Sequence, residues 1–302
     1  SPEQQADAEL ARYANAALAA QTDAAFLDSA ESYYALMGEG FQSGSIVGDR
    51  ETNDAALAYC RALSSSGITD IPASASDLPF LSFLPYAIAT APSFLPFIPF
   101  LLSSILVLGA TRPGTLAAKA PAPKFRRLIQ IVFSIIVAGT AMLLAGLAPG
   151  GIYALVLNGF GQIGYPIAFF HDGALATTTA GNVFTTLLLA LLAGGTLISV
   201  CSAVLSTATR RVLAGPLTSA LLVAAPAFPL LSDSALGHNA VLGLLPLAVF
   251  SPIEATGYVG CFPTEFIGSG SGSASMLAVA LIYVAVLFAV GAVAARSPKQ
   301  AG

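Results

Sequence analysis

TRPGTLAAKAPAPKFRR, residues 111–127, carries five of the nine basic residues that follow position 78: Arg112, Lys119, Lys124, Arg126 and Arg127. Long apolar stretches without a single Asp, Glu, Lys or Arg flank it on both sides. The other four bases fall in two further places, Arg210 with Arg211 and Arg296 with Lys299. The four later acids fall in the intervals between, Asp172 in one and Asp233, Glu254 and Glu265 in the next. Lys and Arg collect on the cytoplasmic side of a bilayer, so this sorting predicts an all-α polytopic membrane protein and orients each crossing.

Composition agrees. Only 9% of residues are charged, 56% are hydrophobic and the mean hydropathy is +0.79. Soluble domains carry roughly 25% charged residues, which excludes a water-soluble core of this length. The net charge of −4 conceals a split: residues 1–77 hold twelve acids against Arg12, Arg50 and Arg61. That acidic head would repel polyanions, and no basic surface exists beyond short loops, so nucleic acid is excluded as a partner.

The head, residues 1–77, reads as helical. Apolar residues at helical spacing over 3–36 (Leu10, Tyr13, Leu18, Phe26, Tyr33, Leu36) predict an amphipathic helix or helix pair, broken by Gly38, Gly40 and Gly44. Asn53–Leu63 predicts a further short helix, and Ser64–Pro79 a linker towards the membrane. So small a head needs the membrane domain or a disulfide to hold its shape.

Residues 78–302 form the predicted transmembrane domain. A crossing needs about 20 apolar residues, and five stretches supply them, at about 90–110, 128–148, 183–207, 212–231 and 276–295. A proline-rich, kinked entry covers 78–89. Two more apolar pieces, about 151–170 and 241–256, read as re-entrant outer segments. Crossing at 151–170 would put Arg210 and Arg211 outside, and its Gly159, Gly161, Gly164 and Pro166 would free backbone groups that hydrocarbon cannot satisfy. The head and the loops holding Asp172 and Glu265 are then outside, and the C-terminus is cytoplasmic. Gly195, Ser199, Ser202 and Ser206 make a small-residue stripe suited to close helix packing in lipid.

Under this topology Cys60 and Cys261 share the oxidising side, and a disulfide between them is expected; two free thiols are the alternative. Cys201, within a span, reads as an inert buried thiol. His171-Asp172 and His238 lack a nucleophile or a third ligand and read as polar loop residues, so neither a catalytic nor a metal site is expected. No ionisable residue lies within a span, where proton-driven carriers and intramembrane enzymes place them. Asn158 and Gln162 read as partners for irregular backbone. No phosphate-loop motif of the form GxxxxGK[ST] occurs, so any ATP hydrolysis must belong to another subunit.

This layout resembles the permease subunits of ABC-2-type ABC transporters, which have six helices, cytoplasmic ends, a large outer segment after the first helix and a re-entrant outer hairpin before the last. Residues 1–302 match that plan from the first outer segment onward, so the resemblance implies that a first helix precedes Ser1; a removed signal peptide is the other way to export the head. It also implies that Lys119, Lys124, Phe125, Arg126 and Arg127 contact a nucleotide-binding ATPase subunit carrying ATP and Mg, and that a second permease copy or paralogue completes the pathway. No cofactor is expected in this chain itself. The match is one of topology, without a short diagnostic motif, and the acidic, Ala-rich head departs from the family and leaves the cargo open.

The expected function is therefore that of a non-enzymatic transport subunit in a bacterial plasma membrane, exporting a hydrophobic or amphipathic compound such as a peptide, drug or lipid. The alternative is a non-transporting polytopic protein whose outer head binds a partner in a structural or signalling role.

Overall fold

A computed structural model describes residues 2–48, 50–68, 71–72, 74–111, 123–171, 174–227, 249–250, 258–260 and 274–296. Among these residues the chain is predominantly α-helical, with a small three-stranded sheet. It divides into two compact units. The first comprises residues 1–90, 151–185 and 256–272, the second 91–150, 186–255 and 273–302. The unit that contains the head thus extends well beyond residue 77, drawing in later chain as a small acidic segment requires.

Unit one begins with helices α1 (Pro2–Leu18), α2 (Asp23–Ser43) and α3 (Arg50–Ser66), which pack in sequence. Helix α2 starts where Thr22 accepts a hydrogen bond from the Ala25 N–H at 3.3 Å, leaving Asp23 in the positive first turn. It does not break at Gly38 or Gly40, as expected from the sequence, but ends at Gly44, whose φ of 73° only glycine adopts freely. Gly40 is inside the helix because Ile46 folds back over it, in space that a Cβ would fill. Helix α3 is amphipathic: Ala55, Ala56, Tyr59, Cys60 and Leu63 are buried, while Asp54 and Arg61 face out.

Helix α4 (Phe80–Thr90) lies beyond the linker, and α5 (Ile98–Ala110) follows a 3-10 turn at Leu95–Phe97. The break between the kinked entry and the expected crossing at about 90–110 falls at Ala91–Phe94, where Pro92 and Pro96 withhold backbone N–H donors, and helix resumes at Leu95. Helix α6 (Lys124–Asn158) is continuous for 35 residues, with Pro149 inside it. This corrects the expected segment at 151–170: residues 151–158 prolong the helix, which stops at Gly159 (φ 75°) and Gly161 (φ 89°).

Beyond Gly161 the chain enters a sheet, not a helix. Strands β1 (Pro166–His171) and β2 (Ala174–Thr179) pair antiparallel from Pro166 opposite Thr179 to His171 opposite Ala174. Strand β3 (Tyr258–Gly260) pairs with the other side of β1, giving the order β2-β1-β3. Helix α3 packs against β1 and β2. Thr177, Thr178 and Thr179 are β-branched and suit a strand.

Helix α7 (Ala180–Thr209) begins directly after β2, and α8 (Ala214–Ala224) and α9 (Ala274–Arg296) complete the described helices. Unit two has its core where α5, α6, α7 and α9 meet: Leu108, Leu128, Ile131, Ile135, Val200 and Val204, with Val284, Leu287 and Phe288 against them. Phe100 sits where Gly139 and Gly195 leave room, and Phe97, beside Gly194, meets Phe250 edge to face at 5.2 Å.

By length and composition, α6 and α7 can each cross a membrane, and a third crossing exists if Phe80–Thr90 and Leu95–Ala110 act together. These two or three helices indicate a membrane location. The sequence predicts five crossings; Ala214–Ala224 and Ala278–Val293 are apolar but short. The expected span at 212–231 runs past residue 227, and the expected hairpin at 241–256 falls almost wholly outside the described residues. Helix α6 exposes Ile129, Phe133, Val137 and Leu144, a surface that suits lipid and costs heavily in water.

Candidate functional site

The basic turn comes first. Lys124, Phe125, Arg126 and Arg127 form the first turn of α6, with the Arg127 N–H donating to the Pro123 carbonyl at 3.0 Å. Lys124, Phe125 and Arg126 are exposed, Arg127 is half-buried, and Leu128 is buried in the core. Lys119 lies outside the described residues. The arrangement presents cations and an aromatic ring on a turn anchored by Leu128, against which Gly291 of α9 packs closely. Such a turn can bind an acidic protein surface or lipid phosphates.

The opposite end of the same helix is held by hydrogen bonds. Asn158, its last residue, donates from Nδ2 to the carbonyls of Ser76 at 2.6 Å and Leu78 at 3.0 Å. The Phe80 and Leu81 N–H groups donate to the carbonyls of Gly159 and Phe160, both at 3.1 Å. Phe80 and Phe160 stack with ring centres 5.8 Å apart. Asn158 thus serves irregular backbone, as its position in the sequence implies.

The small-residue stripe lies within unit two. Ser199, Ser202 and Ser206 are buried, Gly195 faces Phe100, and Ser202 Oγ lies 2.9 Å from Ser219 Oγ. Ser206 donates to the Val212 carbonyl at 2.9 Å and accepts from the Gly215 N–H at 3.2 Å. The backbone of α8 approaches α7 so closely that a Cβ on Gly215 would collide with the Ser202 carbonyl. Cys201, beside them, is a free buried thiol.

Cys60 is free in this structure, which corrects the expected disulfide; Cys261 lies outside the described residues. The Cys60 side chain is fully buried on the inner face of α3. Burial, reinforced by the Glu31 carboxylate, pushes its thiol up to about 11. Burial raises the Tyr34 phenol as well. A thiol in this setting ionises too little to attack a disulfide readily.

Several residues that shape unit one carry no signal in the sequence. Tyr59 and Tyr165 share a buried hydrogen bond, and Asn53, almost fully buried, donates from Nδ2 to the Tyr34 carbonyl at 3.0 Å. Tyrosine at two distant positions gives no indication of pairing. Among the described residues no three His, Cys, Asp or Glu side chains converge as metal ligands would. His171 ends β1, and Asp172 and His238 lie outside the described residues.

No known protein family, curated protein or solved structure matches the chain.

Proposed function

We propose that the chain is the membrane-spanning subunit of an ATP-driven exporter in a bacterial plasma membrane, with residues 1–77 outside, the C-terminus cytoplasmic and ATP hydrolysis on a separate subunit. One observation carries this reading. A single helix, α6, begins with the exposed cations Lys124 and Arg126 and ends at Asn158, which grips the linker at Ser76 and Leu78. A helix of 35 residues is long enough to cross a hydrocarbon layer of about 30 Å. Movement imposed on the basic turn by a cytoplasmic ATPase would be carried along that helix to the outer chain. The charge sorting of the sequence supports the orientation, and spans without Asp, Glu, Lys, Arg or His suit a hydrophobic or amphipathic cargo, whether peptide, drug or lipid. A second copy or a paralogue completes the pathway.

The test is to isolate the full-length protein from its native membranes in mild detergent. The reading predicts that a phosphate-loop ATPase co-purifies. It also predicts that joint replacement of Lys124, Arg126 and Arg127 by Ala lowers stimulated ATP hydrolysis in protein that still inserts correctly. Absence of any ATPase, or unchanged stimulation in the variant, would contradict it.

A further inference from the structure

Among the described residues strand β2 is an edge of the sheet, and its own sequence carries nothing that discourages pairing. In the order β2-β1-β3, β2 has a ladder partner on one side only among the described residues. The Ala180 N–H donates to the Tyr165 carbonyl at 2.8 Å. Antiparallel pairing alternates from there, so the backbone groups of Ala174, Ala176 and Thr178 turn to β1. Those of Leu175 and Thr177 turn outward. Edge strands normally carry a Lys, a Pro or a bulge that blocks addition of another strand. The β2 sequence, Ala-Leu-Ala-Thr-Thr-Thr, carries no charge and no proline.

Beside that edge lies a groove of about 590 Å³, bounded by Thr177 and by one face of α3 that carries Asp54, Leu57, Ala58, Arg61, Ala62 and Ser65. The small side chains of Ala58, Ala62 and Ser65 leave room for a backbone between helix and strand. Outward N–H and C=O groups at strand spacing, without a ladder partner among the described residues, recognise an extended polypeptide and little else. The charge of the occupant follows from the surroundings. Both charged lining residues are paired outside the groove, Arg61 with Glu31 at 3.1 Å and Asp54 with Arg50 at 3.5 Å, so the wider charge of the head decides. Residues 1–77 hold twelve acids against three Arg, so an approaching chain meets a negative field.

We infer that the groove between α3 and the β2 edge is a docking site for an extended, basic polypeptide segment, which adds to β2 as a fourth strand. This does not depend on the transport reading. A protein that moves nothing would use the site equally well.

The test uses full-length protein in phosphatidylcholine nanodiscs and a fluorescein-labelled nine-residue peptide of alternating Thr and Lys, read by anisotropy. An alternating Thr and Glu peptide is the comparator. The basic peptide should bind at least about tenfold more tightly than the acidic one and weaken as salt rises. Thr177→Pro removes an outward N–H that the ladder to β1 does not use, and should weaken binding about tenfold. Ala58→Trp fills the groove from the helix side and should do the same, so the inference stays testable if the proline variant is poorly folded. No binding of the basic peptide, or equal binding by wild type and a folded variant, overturns it. So does finding that Thr177→Pro splits a dimer, because the edge then belongs to a second copy of this chain.

Discussion

The phenolic oxygens of Tyr59 and Tyr165 lie 2.7 Å apart in a buried hydrogen bond, with the two rings meeting edge to face at 6.5 Å. One ring is on α3 and the other immediately precedes β1, 106 residues later in sequence. The contact joins head to sheet within unit one, so the head's stability should depend on chain that follows α6. Tyr59→Phe should cost about 1 kcal/mol, as a buried hydrogen bond does. The measurement is thermal unfolding in detergent, where the midpoint should fall by a few degrees. Tyr59→Ala, which also opens a cavity, should cost about 3 kcal/mol or more.

Cys60 should resist alkylation in the native protein. With its thiol pushed up to about 11, almost no thiolate exists near neutral pH, and reaction with iodoacetamide should stay slow until the pH nears that value or the head unfolds. Because the ionisation is raised above the ordinary value of 9.0, unit one's stability from this group is complete below pH 9. It declines as pH rises through about 11. Mass spectrometry of unreduced, denatured protein should find Cys60 alkylated; a Cys60–Cys261 crosslink there would contradict the free thiol.

Two glycine substitutions should separate. Gly215→Ala places a methyl against the Ser202 backbone, which cannot move aside as a flexible side chain would. It should destabilise unit two by about 2–3 kcal/mol through overpacking. Gly146→Ala meets nothing within 4 Å and should be neutral or mildly stabilising, since alanine is the better helix former. Thermal midpoints of the two variants in the same detergent provide the comparison.

How far the sequence is legible depends on which force decides each element. The uncharged runs within α6 and α7 declare themselves, because a long apolar helix needs no distant partner to be recognised. Asn158 is legible for a similar reason: a strongly polar side chain at the end of an apolar run must serve nearby backbone. The chain from 151 to 179 is not. Its glycines suggest one re-entrant element, whereas Gly159 and Gly161 terminate a helix and Pro166 begins a strand. Strand β1 gains its place by pairing with β2 on one side and β3 on the other, and β3 lies about ninety residues away. Gly40 misleads in the opposite direction, because Ile46 packs where its side chain would stand and the helix runs on. The stripe Gly195, Ser199, Ser202 and Ser206 is legible as a face, but its partners Phe100 and Ser219 are not.

Both the transport reading and the placing of the head depend on the orientation implied by the charge sorting. That orientation is tested most directly by single cysteines at exposed positions, Gln21→Cys, Pro123→Cys and Thr209→Cys, in protein whose native cysteines are replaced by Ala. A membrane-impermeant maleimide applied to intact cells should label position 21 alone, with positions 123 and 209 labelled only after permeabilisation. Labelling of positions 21 and 123 from the same side, or of 123 and 209 from opposite sides, would contradict the account.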